Sequence, residues 1–254
     1  ISGQSAITNA SSIVRPSCYC RFQMDRESSS EKPRRGGARA GAGRKKNPRN
    51  HDSPHATRPS LSRKHPVHVV LRVMKCLPRL RQRDTYRAIR RTLTRYLGRD
   101  DFRVVHVSIQ HNHLHLLVEA ENRRVLSRVM QGFAINMARA INQSFKSWGK
   151  VFAHRYHATQ IQTPFHARHA LAYVLNNWRR HREDRASVRT LDARLDPCAS
   201  GMSFTGWAGG QGFECPEGYI PLLVSPARTS LLASEWRKHG LIDLFETPGP
   251  TARW

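Results

Sequence analysis

Acidic residues are scarce in this chain of 254 residues. Its 18 Asp and Glu stand against 43 Lys and Arg, for a formal net charge of +25 and a pI near 11.3. Such an excess repels itself in a compact state and calls for a polyanion, nucleic acid before any other. Also missing are an apolar run of transmembrane length and a secretory signal with a cleavage site. No membrane partner is therefore expected, and the expected setting is cytoplasmic and nucleoid-associated. Cysteine is sparse and scattered, at Cys18, Cys20, Cys76, Cys198 and Cys215. Cys18 and Cys20 make a C-x-C with no second pair at metal-finger spacing, so a zinc finger is set aside and the five are read as ordinary thiols.

Large apolar groups are nearly absent from residues 24–64, a basic stretch rich in Gly, Pro and Ser that cannot bury enough surface to fold alone. Within it, "RRGGARAGAGRKK" suits phosphate tracking, with Arg44, Lys45 and Lys46 as candidate DNA contacts, or serves only as a solubilising tail. Residues 1–23 show neither helical nor strand period. Met24 looks a more natural start, so that stretch is read as upstream translation or a fragment artefact. The expected division is a disordered leader over 1–64, a folded domain over 65–185, and an irregular extension over 186–254 with one short helix near "ARTSLLASEWRKH".

Between the tails the hydrophobic period changes repeatedly. "PVHVVLRVMKC" alternates Val67, Val69, Leu71 and Val73 against His68, Val70, Arg72 and Met74, a strand. Tyr86, Ile89, Leu93 and Leu97 follow at helical spacing, with Gly98 as the stop. "FRVVHVSIQ" and "HLHLLVEA" read as two strands; in the first, Val105, Val107 and Ile109 share a side opposite His106 and Ser108. A long amphipathic helix carries Leu126, Val129, Met130, Phe133, Met137 and Ile141. A fourth strand falls within "GKVFAHRYHATQIQ", and a third helix opens at Pro164. The order β-α-β-β-α-β plus a helix predicts an α+β, ferredoxin-like fold: a four-stranded antiparallel sheet with helices on one face and an extra tyrosine-bearing helix.

Within "HLHLLVEA" the side chains alternate. Leu114, Leu116 and Val118 take the covered face; His113, His115, Leu117 and Glu119 take the other, with His68 and His106 as candidates to join them. Two histidines at i, i+2 lie side by side, close enough to share one divalent ion. On the third helix, Ala167, Leu171, Val174, Leu175 and Trp178 form one stripe. His166, His169, Tyr173, Asn177 and Arg180 fall opposite, so the Tyr173 phenol is expected to point away from the helix's own packing face. That polar face is either simply solvated or meets a metal, by folding over its own sheet or by donation to a partner subunit. A tyrosine beside a divalent ion in a basic protein can attack a DNA phosphate.

These segments resemble the HUH-type single-tyrosine transposases, which include the insertion-sequence 200/605 enzymes and relatives associated with repetitive extragenic palindromes. "PVHVVLRV" looks like the family's first strand, "QHNHLHLLVEA" like its "pNHvHlLv" motif, and "ALAYVLNNW" like its "llrYihlNP" segment. The resemblance covers about residues 66–183. It implies a single-stranded DNA nickase and strand-transfer enzyme with Tyr173 as nucleophile and His113, His115 and Asn177 as ligands of Mg²⁺ or Mn²⁺. It further implies hairpin or palindromic DNA ends as substrate, and a homodimer in which each tyrosine helix serves the partner. Arg72, Arg87, Arg90, Arg91 and Arg180 are further candidate DNA contacts. Where the family shows Asn-Pro this chain has Asn177-Trp178, which leaves the helix free to run on.

The alternative is a catalytically inactive or domesticated single-stranded nucleic-acid-binding protein. An RNA-recognition sheet would stack bases on exposed aromatics, and the third strand carries no such pattern. A zinc hydrolase on His111, His113 and His115 lacks a neighbouring carboxylate base. A helix-turn-helix reading of the arginine-rich first helix lacks the short partner helix before it.

Overall fold

A computed structural model of the chain describes residues 59–185, 194–209 and 217–249. The elements run β1 (Val67–Arg72), α1 (Arg83–Thr94), β2 (Phe102–Ile109), β3 (His113–Ala120), α2 (Arg123–Ser144), β4 (His157–Gln160), α3 (Pro164–Arg180) and a short α4 (Ser230–Ala233). The four strands form one antiparallel sheet ordered β2-β3-β1-β4, as the α+β, ferredoxin-like expectation requires. The leader with Arg44, Lys45 and Lys46, and the stretch 1–23, lie outside the described residues.

Alternation decides the two faces. Val67, Val69 and Leu71 of β1 and Leu114, Leu116 and Val118 of β3 pack with Ile89 and Leu93 of α1 and with Met130, Phe133, Met137 and Ile141 of α2. Asn122 starts α2 by accepting the Val125 N–H at 3.0 Å, satisfying one of the helix's orphan donors. β2 departs from simple alternation. A bulge between Val104 and His106 shifts its register against β3, so Val104 and Val107 share the first core while Val105 joins Leu117 on the second face. The expected grouping of Val105 with Val107 is thereby corrected; one inserted residue turns it over.

The second face is not open. Thr163 caps α3 by accepting the His166 N–H at 3.1 Å, Pro164 occupies the first turn, and the helix runs on through Trp178 to Arg180. It lies across the sheet, and the C-terminal segment packs on its far side. Leu117, Leu171 and Leu175 share a second core with Phe204, Trp207, Leu231, Leu232, Trp236 and Ile242. A helix covered on two sides must be apolar nearly all round, and α3 is buried continuously from Ala170 to Trp178.

The C-terminal segment also lines the free edge of β2. The Ile109 N–H donates to Cys198 O at 2.8 Å, and the Ser225 N–H to Val104 O at 2.8 Å. The buried Glu119 carboxylate accepts from the Thr229 N–H at 2.9 Å and its hydroxyl at 2.8 Å, holding the start of α4. Arg81 grips the buried Asp196 through two bonds of 3.0 and 2.8 Å. The segment is an integral layer, although its sequence carries little regular period.

Candidate active site

β3 delivers His113 and His115 to the second face, with ring centroids 4.6 Å apart. Cross-strand register sets Arg72 opposite His113, and Val70 opposite His115. α3 then brings Tyr173 of the same chain against His115 and against His68 of β1. Its ring stands edge-on to His115 at 5.2 Å and to His68 at 5.8 Å. The expectation that the phenol points away from the packing face is corrected: α3 packs on two sides, and Tyr173, only 8 % exposed, turns toward the sheet histidines. Asn177, one turn on, is fully buried, and neither atom of its amide has a hydrogen-bond partner.

The imidazoles here are neutral near pH 7. Burial is the main cause, with neighbouring cationic or imidazole groups adding to it. It lowers His113 to about 4, aided by His181, Arg72 and His111, and lowers His115 well below its ordinary value, aided by His68 and His113. A neutral imidazole keeps the lone pair that a metal needs. His113 Nδ1 lies 2.7 Å from Asn112 Oδ1, and His115 Nδ1 lies 3.0 Å from His68 Nε2. His115 Nε2 is buried without a partner.

A buried leucine would contribute roughly 1.5–3 kcal/mol where this histidine leaves a polar atom unsatisfied. Packing therefore does not explain the choice of residue. Among the described residues no three His, Cys, Asp or Glu side chains are grouped to hold a metal ion, and the buried Asn177 amide is a polar group on α3 left without a partner. The unpaired His115 Nε2 and Asn177 amide are neutral nitrogen and oxygen donors of the kind a divalent cation can use, with waters and a phosphate supplying the remaining ligands and the negative charge.

Some neighbours were missed by sequence reasoning. His181, just past α3, sets its ring 5.7 Å from that of His113, and Glu183 approaches His111 at 3.8 Å. Asn112 lay inside the quoted motif, but its hydrogen bond depends on a turn geometry that spacing does not encode. His106, a candidate for the cluster, instead meets Ser200 Oγ at 3.1 Å.

The candidate DNA contacts divide. Arg72 is exposed on the site face, and Arg87 and Arg91 are exposed on α1, across the sheet from Tyr173. Arg90 is engaged internally, donating to Pro221 O at 2.9 Å, and Arg180 reaches Pro248 O at 3.1 Å. Among the described residues no helix is long and apolar enough to cross a membrane.

No curated protein matches the chain. A solved structure of a REP-associated tyrosine transposase bound to a REP hairpin is similar at 11 % identity, over 50 % of this chain and 74 % of that one, with a TM-score of 0.41. Residues 62–177 match the family described as "Transposase IS200 like", an interval that holds the four strands, the histidine pair and Tyr173 and stops at Asn177. Over that segment, a little under half its length, the chain is similar to the IS200-like transposases.

Proposed function

We propose that this protein cleaves and rejoins single-stranded DNA at hairpin or palindromic ends, using Tyr173 as the nucleophile. The observation that carries the reading is the edge-on approach of the Tyr173 ring to His115, 5.2 Å between centroids within one chain. His113, His115 and Asn177 would hold Mg²⁺ or Mn²⁺, and the ion would polarise the scissile phosphate and offset charge building on its oxygens.

The chain's own contribution is positional. The sheet fixes the imidazoles, α3 fixes the phenol, and Arg72 sits beside them to meet a phosphate. The Tyr173 oxygen forms a bond to phosphorus and gives up its proton to solvent. The bond from phosphorus to the 3′ oxygen breaks, and that oxygen leaves as a hydroxyl after taking up a proton. The products are a 5′-phosphotyrosine and a free 3′ end; attack by another 3′ hydroxyl reverses the step and joins new ends. The enzyme acts at the nucleoid, and residues 65–185 form its catalytic domain.

The test is a labelled hairpin oligonucleotide with a single-stranded flank, incubated with Mn²⁺ and resolved on a denaturing gel. A protein–DNA adduct should form with the native chain and vanish in Tyr173→Phe, which should still retain the DNA. Retention with no adduct on any hairpin would leave the chain a single-stranded nucleic-acid-binding protein.

A further inference from the structure

Tyr173 and His115 both contact a further buried imidazole, that of His68. His68 sits on β1 opposite Leu117, and so lies diagonal to His115 on the same face of the sheet. The two rings stack at 5.2 Å with 25° between planes, and His68 Nε2 comes within 3.0 Å of His115 Nδ1. They are 6 % and 3 % exposed, so solvent does not compete for that contact.

Two neutral imidazoles can place only one proton between these nitrogens. If His68 supplies it, His115 carries its own proton on Nε2, where a buried N–H would face no acceptor. If His115 supplies it from Nδ1, its Nε2 presents a bare lone pair to the site. Buried N–H groups without acceptors are the rarer outcome. The neighbouring histidine follows the same plan: the Nδ1 of His113 meets the side-chain Oδ1 of Asn112 at 2.7 Å, which leaves its Nε2 bare too.

We propose that His68 is a positioning residue. It accepts the Nδ1–H of His115, fixes the tautomer, and aims Nε2 at the cation site. The assignment of a cation rests on the function proposed above; the tautomer does not. Partners of this kind orient metal-binding histidines and raise their basicity, and their loss typically weakens metal affinity by about 10–100-fold.

The experiment uses the full chain. Long-range ¹H–¹⁵N spectra of histidine-labelled protein, with and without Mg²⁺, report which ring nitrogen of His115 is protonated; His115→Gln identifies its signals. Mn²⁺ affinity is then measured by electron paramagnetic resonance for the native chain, His68→Phe and His68→Gln. Phe keeps a stacked ring without an acceptor, and Gln keeps an acceptor oxygen near the place of Nε2.

The expected result is His115 protonated at Nδ1, with Mn²⁺ affinity about 10–100-fold weaker in His68→Phe and largely kept in His68→Gln. Protonation of His115 at Nε2 in both states overturns the proposal. So does equal loss of affinity in folded Phe and Gln variants, which would mark a packing role. If His68→Phe does not fold, the spectra of the native chain decide. A native chain that binds no Mn²⁺ yet protonates His115 at Nδ1 upholds the positioning role and sinks the metal reading instead.

Discussion

Asn177 carries two buried polar atoms with no hydrogen-bond partner. Each unsatisfied buried group costs about 1–3 kcal/mol, and a well-packed apolar residue of similar shape would remove that cost. Asn177→Leu should therefore raise stability by about 1–2 kcal/mol in denaturant titrations while weakening divalent-ion binding. A stability loss would show that the amide is satisfied after all. His106 gives a second residue-scale prediction, through pH. Burial lowers it from 6.5 to about 4, so between those values the unfolded chain binds the extra proton. Its contribution is fully present above pH 6.5 and is lost as pH falls toward 4, up to about 3 kcal/mol at 1.36 kcal/mol per unit. The denaturation midpoint of the native chain should fall over that window, and less so in His106→Gln.

At the scale of elements, strand alternation and helical period were legible because each depends on neighbours in sequence. The faces of β1 and β3, the buried stripe of α2, and the Pro164 start of α3 all follow from such local patterns. Two features were not legible. The bulge in β2 is a register choice made against β3, so Val105 gave no local sign of its reversal. The covering of α3 depends on Phe204, Trp207 and Trp236, 31–63 positions beyond Tyr173 and scattered among Gly and Pro, so local pattern left solvent, its own sheet and a partner subunit all open for that tyrosine. The same covering makes a prediction. Trp236 is almost fully buried at 1 % exposure and packs over Gly206. Trp236→Ala should cost about 3–5 kcal/mol. Gly206→Ala should also destabilise, because a methyl there meets the rings of Trp236 and Phe204. Hydrogen exchange should quicken in α3 in both variants, and unchanged exchange would mean that the C-terminal layer does not restrain that helix.

For the whole molecule, the +25 charge predicts that the proposed DNA binding weakens steeply with salt. Removing one phosphate-binding cation should reduce the slope of log K against log salt by about 0.7 for single strands. Arg87→Gln and Arg91→Gln should each lower that slope if α1 meets DNA. Arg90→Gln should instead lower stability, since that guanidinium holds the carbonyl of Pro221. The approach of Tyr173 to histidines of its own chain bears on stoichiometry as well. A mixture of Tyr173→Phe and His113→Ala chains should form no adduct, because neither copy holds a complete site; activity restored by mixing would mean that copies exchange helices.

The margin of β2 has a consequence for synthesis. Cys198 and Ser225, which hydrogen-bond to it, leave the ribosome after the sheet and α3 do. Until they emerge, a bare strand edge and the outer apolar side of α3 lie uncovered together, the combination that invites intermolecular pairing. Ribosome-bound chains halted after α3 has emerged but before Trp236 has should therefore recruit chaperones, and release once translation carries Trp236 into place.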